Sequence, residues 1–176
     1  GNVDNFVLSV RRLLDQNKID EAIEECDRQE GSVGNVVKEG LTTYKALAHD
    51  TTMNKEQKMV ALNKSIEEAT TLEMPMLEKN MMILSTLGTV ATLVALLGTV
   101  IGMIKAFSAL GAGGGTPDSA ALSIGISEAL VNTALGIGTS AVAIILYNYF
   151  TSKIDGLTFK IDEIAMSIQQ SFAEFH

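Results

Sequence analysis

The chain has 176 residues, a formal net charge of −8 and 47% hydrophobic residues, a size that suits one or two compact units. No basic block points to nucleic-acid binding, and the lone cysteine, Cys26, excludes an internal disulfide. Charge is spread unevenly: residues 1–80 hold ten of the thirteen Lys and Arg and fifteen of the twenty-one Asp and Glu, whereas residues 81–150 hold only Lys105, Asp118 and Glu128.

Taken in chain order, the polar half reads as helices. Val3, Phe6, Val7, Val10, Leu13 and Leu14 fall on one stripe and predict an amphipathic helix over about residues 2–16. Nothing caps its start and no initiator Met precedes it, so the chain is expected to be a fragment of a longer one. Asp20 is the expected cap of a second helix at about 20–29, with Ala22, Ile23 and Cys26 turned inward and Gly31 ending it. A buried, inert thiol is expected at Cys26. Ser32 is the expected cap of a third helix at about 33–49, with Val33, Val36, Val37, Leu41, Tyr44 and Leu47 as its apolar face. After a loop at 50–54 the pattern is helical from Lys55. One long helix is expected over 55–107, bent at most at Pro75, where a backbone hydrogen bond is lost.

Met81 to Ile104 is a run of twenty-four residues without charge. About 20 suffice to cross a hydrocarbon core, so a transmembrane helix is predicted over 81–107. A second is predicted over 120–150, ending on Tyr147, Tyr149 and Phe150 as an interfacial aromatic belt. Between them, Ser108 to Ala120 reads SALGAGGGTPDSA, a hairpin turn placed at 108–119. The rival reading, a phosphate-binding loop, lacks a preceding strand and a GK[ST] ending. Lys64, Lys79, Lys153 and Lys160 flank one side of the spans and Lys105 alone the other. That imbalance predicts a cytoplasmic helical region at 1–80 and a cytoplasmic C-terminal helix at 151–176. The expected fold is therefore an all-α membrane protein with two transmembrane helices and long helices extending into the cytoplasm. The tail helix shows Ile154, Leu157, Ile161, Ile164, Met166 and Ile168 as its apolar residues.

Within the first span, Ser85, Thr92 and Thr99 recur every seven residues, and Gly88, Ala95 and Gly102 recur beside them. Small residues let helices approach closely in lipid and hydroxyls bond across the contact. Gly88, Ala95 and Gly102 are thus packing candidates, expected to join copies of the chain, while a polar passage would show the same hydroxyl register. The second span carries Gly125, Glu128, Asn132, Gly136 and Thr139 on one broad side, with Thr133 and Ser140 further round. A hairpin centred near 113–114 makes Thr99 level with Glu128. An ionised carboxylate facing lipid costs on the order of 3 kcal/mol, and such groups mark ion paths or pair with a partner. For Glu128 both readings stand: a role in an ion path, or a structural partner such as Lys105 or a donor of another subunit.

The stretches LGTVATLVALLGTVIGMIKAF (Leu87 to Phe107) and GISEALVNTALGIGTSAVAIILYNYF (Gly125 to Phe150) resemble the MotA/TolQ/ExbB proton-channel family, nearest its ExbB/TolQ branch. The first motif matches at Leu97, Gly98, Thr99, Val100, Gly102 and Met103. The second matches at Glu128, Ala129, Leu130, Thr133, Ala134, Gly136, Tyr147 and Asn148. Three departures stand out: Thr92 occupies a position where many relatives have proline, the stretch IGTSAVAII after Gly136 lacks the family's usual proline, and Asn132 replaces a small residue. The resemblance implies a multi-pass protein of the bacterial inner membrane, with a further span upstream of this chain. It implies a homo-oligomeric ring, typically a pentamer, around an ExbD-like single-span partner that bears the titrating Asp. It further implies coupling to a TonB-like transducer that energises outer-membrane transport, with Thr99, Glu128 and Thr133 lining the path; the departures Thr92 and Asn132 are expected to widen its polar lining. No enzyme activity, cofactor, metal or nucleic-acid partner is expected; membrane lipid is. A TolQ-like envelope-maintenance motor and a non-conducting membrane scaffold are the alternatives.

Overall fold

The computed structural model describes residues 2–112 and 119–176. Among them all regular structure is helical: α1 (Asn2–Asp15), α2 (Ile19–Gln29), α3 (Gly31–His49), α4 (Lys55–Glu78), α5 (Met81–Ala112) and α6 (Ser119–Phe175). Two compact units result. The first comprises Gly1–Lys79 with Ser152–His176, the second Asn80–Thr151. Helix α6 contributes to both.

The first unit is built as a water-soluble bundle. The stripe of α1 buries Phe6, Val7, Val10, Leu13 and Leu14, as its period requires. They pack with Cys26 of α2, with Val36, Val37, Leu41 and Tyr44 of α3, and with Leu62 and Ile66 of α4. The tail of α6 adds Ile161, Ile164, Ile168 and Phe172 to the same core. Phe172 meets Tyr44 edge to face with ring centroids 5.0 Å apart, an arrangement aromatic quadrupoles favour. Met166, expected on the apolar face of the tail, is instead exposed, because the buried stripe runs 161, 164, 168, 172 and leaves 166 on the far side. Arg11 reaches from α1 to Glu163 at 2.7 Å, and the Ser171 hydroxyl donates to Leu14 O at 3.3 Å.

The connections between helices differ from the sequence expectations for local reasons. Helix α1 closes with the Lys18 amide donating to Leu13 O and the Asn17 amide to Leu14 O, while Asn17 takes a φ of 54°. This is the paired bond pattern of a left-handed helix stop, which asparagine tolerates. The stop is so tight that Lys18 already serves as N-cap of α2. Asp20 therefore falls inside the first turn, where its carboxylate suits the positive helix end and pairs with Lys45 at 2.7 Å. Likewise Gly31 does not end α2. Glu30 both closes α2 and opens α3, and Gly31, at φ +88°, is the first residue of α3, so Ser32 lies within the helix. Asn54 caps α4 in a reciprocal box with Gln57.

Pro75 lies inside α4, and the helical run is interrupted four residues later, at Lys79 and Asn80. The Asn80 carbonyl accepts from the Leu84 amide at 3.3 Å and so opens the hydrogen bonding of α5. The expected helix over 55–107 is thus interrupted only at these two residues, and Lys79 itself keeps helical angles, φ −49° and ψ −44°. Helix α5 also runs on to Ala112, past the expected end at Phe107, so residues 108–112 are helical rather than loop. The rest of the expected hairpin turn, 113–118, lies outside the described residues.

Two outcomes test this packing. Phe172→Ala should destabilise the first unit by about 3–5 kcal/mol, while Phe159→Ala, at a side chain 70% exposed, should change stability by about 0.5 kcal/mol or less. Denaturant titrations of the full chain in detergent, followed by circular dichroism, read both. Cys26 gives the second. Burial, helped by the neighbouring Asp27 carboxylate, pushes its thiol from an ordinary 9.0 up to about 12. The folded state holds the proton that the unfolded state releases above about 9. Its contribution is therefore full below pH 9 and lost as pH rises toward 12. The melting temperature of the native chain, relative to Cys26→Ala, should fall across that window; a flat difference would contradict the burial.

Candidate functional site

The second unit holds the two apolar helices. Both α5 and the first part of α6 are long and apolar enough to cross a membrane. In lipid there is no hydrophobic drive to pair helices, so contact rests on close packing and hydrogen bonds. Residues without bulk supply the closeness. A Cβ built on Gly136 would overlap Ala95 Cβ and stand 3.1 Å from Ala91 O. One on Gly125 would stand 2.8 Å from Ala106 Cβ, and one on Gly102 3.2 Å from Ala129 Cβ. At the far end, Gly88 faces Ile144 and its carbonyl accepts from the Ser140 hydroxyl. Gly88, Ala95 and Gly102 therefore line a seam with α6 of the same chain. The sequence pointed to contacts between copies at these residues; within one chain Gly88 is buried against α6, and Ala95 and Gly102 are half-buried there.

This seam sets the register of the site. The Thr99 and Thr133 hydroxyls share a hydrogen bond across it. Thr99 Oγ1 also lies 3.0 Å from Ala95 O and 3.2 Å from Ala129 O, and Thr133 Oγ1 lies 3.2 Å from Ala129 O. Thr99 is consequently level with Thr133, and Glu128 sits more than a helical turn from that level. The offset from the expected pairing of Thr99 with Glu128 has a simple origin: α5 extends to Ala112, which moves the centre of the hairpin toward α6.

The candidate residues separate into two neighbouring stripes of α6. Ala129, Thr133, Gly136 and Ser140 form the seam. Glu128, Asn132, Leu135 and Thr139 repeat the same spacing one residue earlier, hence about 100° round the helix, and all four are exposed. Asn132 leans toward α5, its Nδ2 standing 3.7 Å from where a Cβ of Gly98 would be. Thr139 donates to Leu135 O at 2.9 Å. Among the described residues neither Glu128 nor Lys105 is in an ion pair. Thr92 is half-buried and Ser85 exposed. Sequence reasoning missed Ala91, Ala106 and Ser140 as seam residues; the repeat of small residues at 129, 136 and 143 in α6 was the available signal, and Ala129 and Ala143 are buried.

A hairpin with hydroxyls meeting in its seam and a carboxylate on the adjoining stripe defines a membrane protein with polar groups inside its spans. The chain belongs to the MotA/TolQ/ExbB proton channel family, whose sequence pattern matches residues 28–163. It is similar to a putative biopolymer transport protein ExbB-like 3 of Synechocystis sp., with 33% identity over 113 residues, 64% of this chain and 54% of that protein. The biopolymer transport protein ExbB of Xanthomonas campestris pv. campestris is 33% identical over 113 residues, 64% of this chain and 44% of that protein. ExbB of Helicobacter pylori is 39% identical over 84 residues, 48% of this chain and 57% of that protein. The chain spans about half the length of these curated relatives.

The seam can be tested by trading bulk across it. Gly136→Ala should destabilise the hairpin by about 1–3 kcal/mol, the usual range for overpacking. Adding Ala95→Gly should recover at least about 1 kcal/mol, since contacting residues couple. Thermal melts in detergent of the two single variants and the double variant measure the coupling; additive effects would mean that the two residues do not touch.

Proposed function

We propose that the chain is the proton-conducting stator subunit of an inner-membrane motor, ExbB-like, that uses the proton-motive force to energise TonB-dependent outer-membrane transport. Thr99, Thr133 and Glu128 line the path, with Thr92 and Asn132 as additions. Copies assemble as a ring, a pentamer, around an ExbD-like single-span helix whose Asp carries the proton, and a TonB-like transducer receives the motion. The first unit lies on the cytoplasmic side. Because the small-residue seam is filled within the chain, ring contacts fall on other faces of α5 and α6.

The observation that carries this reading is the meeting of Thr99 and Thr133 across the seam, beside the stripe bearing Glu128, in a chain of this family. Hydroxyls donate and accept hydrogen bonds without holding net charge, so they can guide a proton through a region that excludes ions. One charge crossing 100 mV releases about 2.3 kcal/mol, enough to drive a step between two packed arrangements. Glu128, exposed on its own chain and costly in lipid, belongs where a partner helix or water meets it. A second reading, a non-conducting scaffold, draws on the seam itself. Thr99 also reaches Ala95 O and Ala129 O, so its hydroxyl is satisfied without any passage. A TolQ-like motor would use the same hairpin.

Proton flux through the complex reconstituted with its single-span partner decides among these. Glu128→Ala and Thr99→Val should each cut flux at least about tenfold, the loss expected for about 1.4 kcal/mol of barrier, with ring assembly retained. Glu128→Gln separates the roles of Glu128. Retained flux assigns the side chain a hydrogen-bonding role, and lost flux assigns it charge. Full flux in both Glu128→Ala and Thr99→Val would leave the scaffold reading.

A further inference from the structure

The polar groups of the hairpin fall into two sets, and Asn132 lies between them. The Thr99–Thr133 pair sits in the seam. Glu128 sits on the exposed stripe, four residues before Asn132 on the same helix face, a spacing that rises roughly 6 Å. Asn132 directly precedes Thr133, and its amide leans over Gly98, the residue directly before Thr99. It therefore stands at the depth of the threonine pair while belonging to the stripe of Glu128.

Asn132 makes no hydrogen bond within the chain among the described residues, and its side chain is exposed. Leaving an amide unpaired in an apolar medium costs about 1–3 kcal/mol. If that face met lipid, alanine would serve better, since it packs as well and carries no such cost. The amide is also unlike its neighbours chemically. It donates and accepts together and does not ionise, so it can order water between a carboxyl and a hydroxyl without trapping the proton.

We propose that Asn132 is a positioning residue that joins Glu128 to the Thr99–Thr133 pair, its amide holding the water that makes the two polar sets one continuous track. This rests on the ion-path reading above and adds to it the residue that links its parts. Gly98 belongs to the arrangement. A Cβ there would lie 3.7 Å from Asn132 Nδ2, an ordinary contact, so alanine is tolerated, whereas a branched side chain would push the amide off the helix.

The test is proton flux per assembled complex, reconstituted with the single-span partner in proteoliposomes, with stability measured alongside. Asn132→Ala should lower flux about tenfold, the equivalent of one lost hydrogen bond, at unchanged assembly and melting temperature. Asn132→Ser should restore part of it, and Gly98→Ala should be neutral where Gly98→Val is impaired. Full flux in Asn132→Ala, with Glu128→Ala and Thr99→Val impaired, would overturn the link and leave the path reading standing. Full flux in all three would remove both. If Asn132→Ala fails to assemble, Asn132→Cys in a Cys26→Ala background decides. Labelling by a water-soluble thiol reagent that blocks flux supports the link, and a thiol that does not react overturns it.

Discussion

The contact of Gly136 with Ala95 is the constraint on which the hairpin depends. No side chain fits between the backbones there: even a methyl on Gly136 would overlap Ala95. Lipid does not push helices together as water does, so dispersion and hydrogen bonds at close range must hold the pair. Both fall off steeply with distance. Fixing one point of closest approach between two straight helices fixes the others. Gly125 then meets Ala106, Gly102 meets Ala129, and Ser140 reaches Gly88. Thr99 and Thr133 meet as a consequence of that register, not through any attraction strong enough to set it.

The same constraint explains which stripe of α6 is turned outward. Rotating α6 by one residue would bring Glu128, Asn132, Leu135 and Thr139 to α5 in place of Ala129, Thr133, Gly136 and Ser140. The spacing would be identical. Volume decides between them: glutamate and leucine cannot occupy a gap that refuses a single methyl. Smallness selects the seam, with the Thr99, Thr133 and Ser140 hydroxyls inside it and the Glu128 carboxylate, the Asn132 amide and the Thr139 hydroxyl on the stripe beside it.

Most of this organisation is legible in the sequence, and the gaps have physical causes. Stripes of apolar residues place the helices and most of the first unit's core, since a period of 3.6 states which face is buried. Phe172 is buried and Met166 exposed, because the apolar face follows the stripe 161, 164, 168, 172 and a period drawn through Met166 points away from it. The small residues Gly88, Ala95 and Gly102 announce a close contact, but periodicity does not say with what. A second copy and the returning helix of the same chain would leave the same signature. Depth is hidden from the sequence because the glycine-rich run begins before α5 ends. Glycine weakens a helix by about 1 kcal/mol without forbidding it, and Gly111 continues α5. The stop at Asn17 and the shared cap at Glu30 are hidden because neither position carries the glycine that usually marks a positive φ.

The two units answer to different solvents, and that difference bears on the site. In the first, large side chains such as Tyr44, Phe172 and Leu14 fill the core, where each buried apolar group gains from leaving water. In the second, the buried residues are Ala, Gly and Ser, and the large apolar ones, Leu93, Leu97, Ile104 and Ile145 among them, face outward. An outward leucine costs nothing in lipid, but an outward Glu128 or Asn132 does. Between Gly125 and Tyr147 the exposed side of α6 otherwise carries apolar side chains and the two small hydroxyls of Ser127 and Thr139, so those two side chains mark one direction of the helix. The seam holds that direction rigid. Glu128 stands about 100° round α6 from a contact that refuses a single added methyl, and α6 supplies both on a single run of helix.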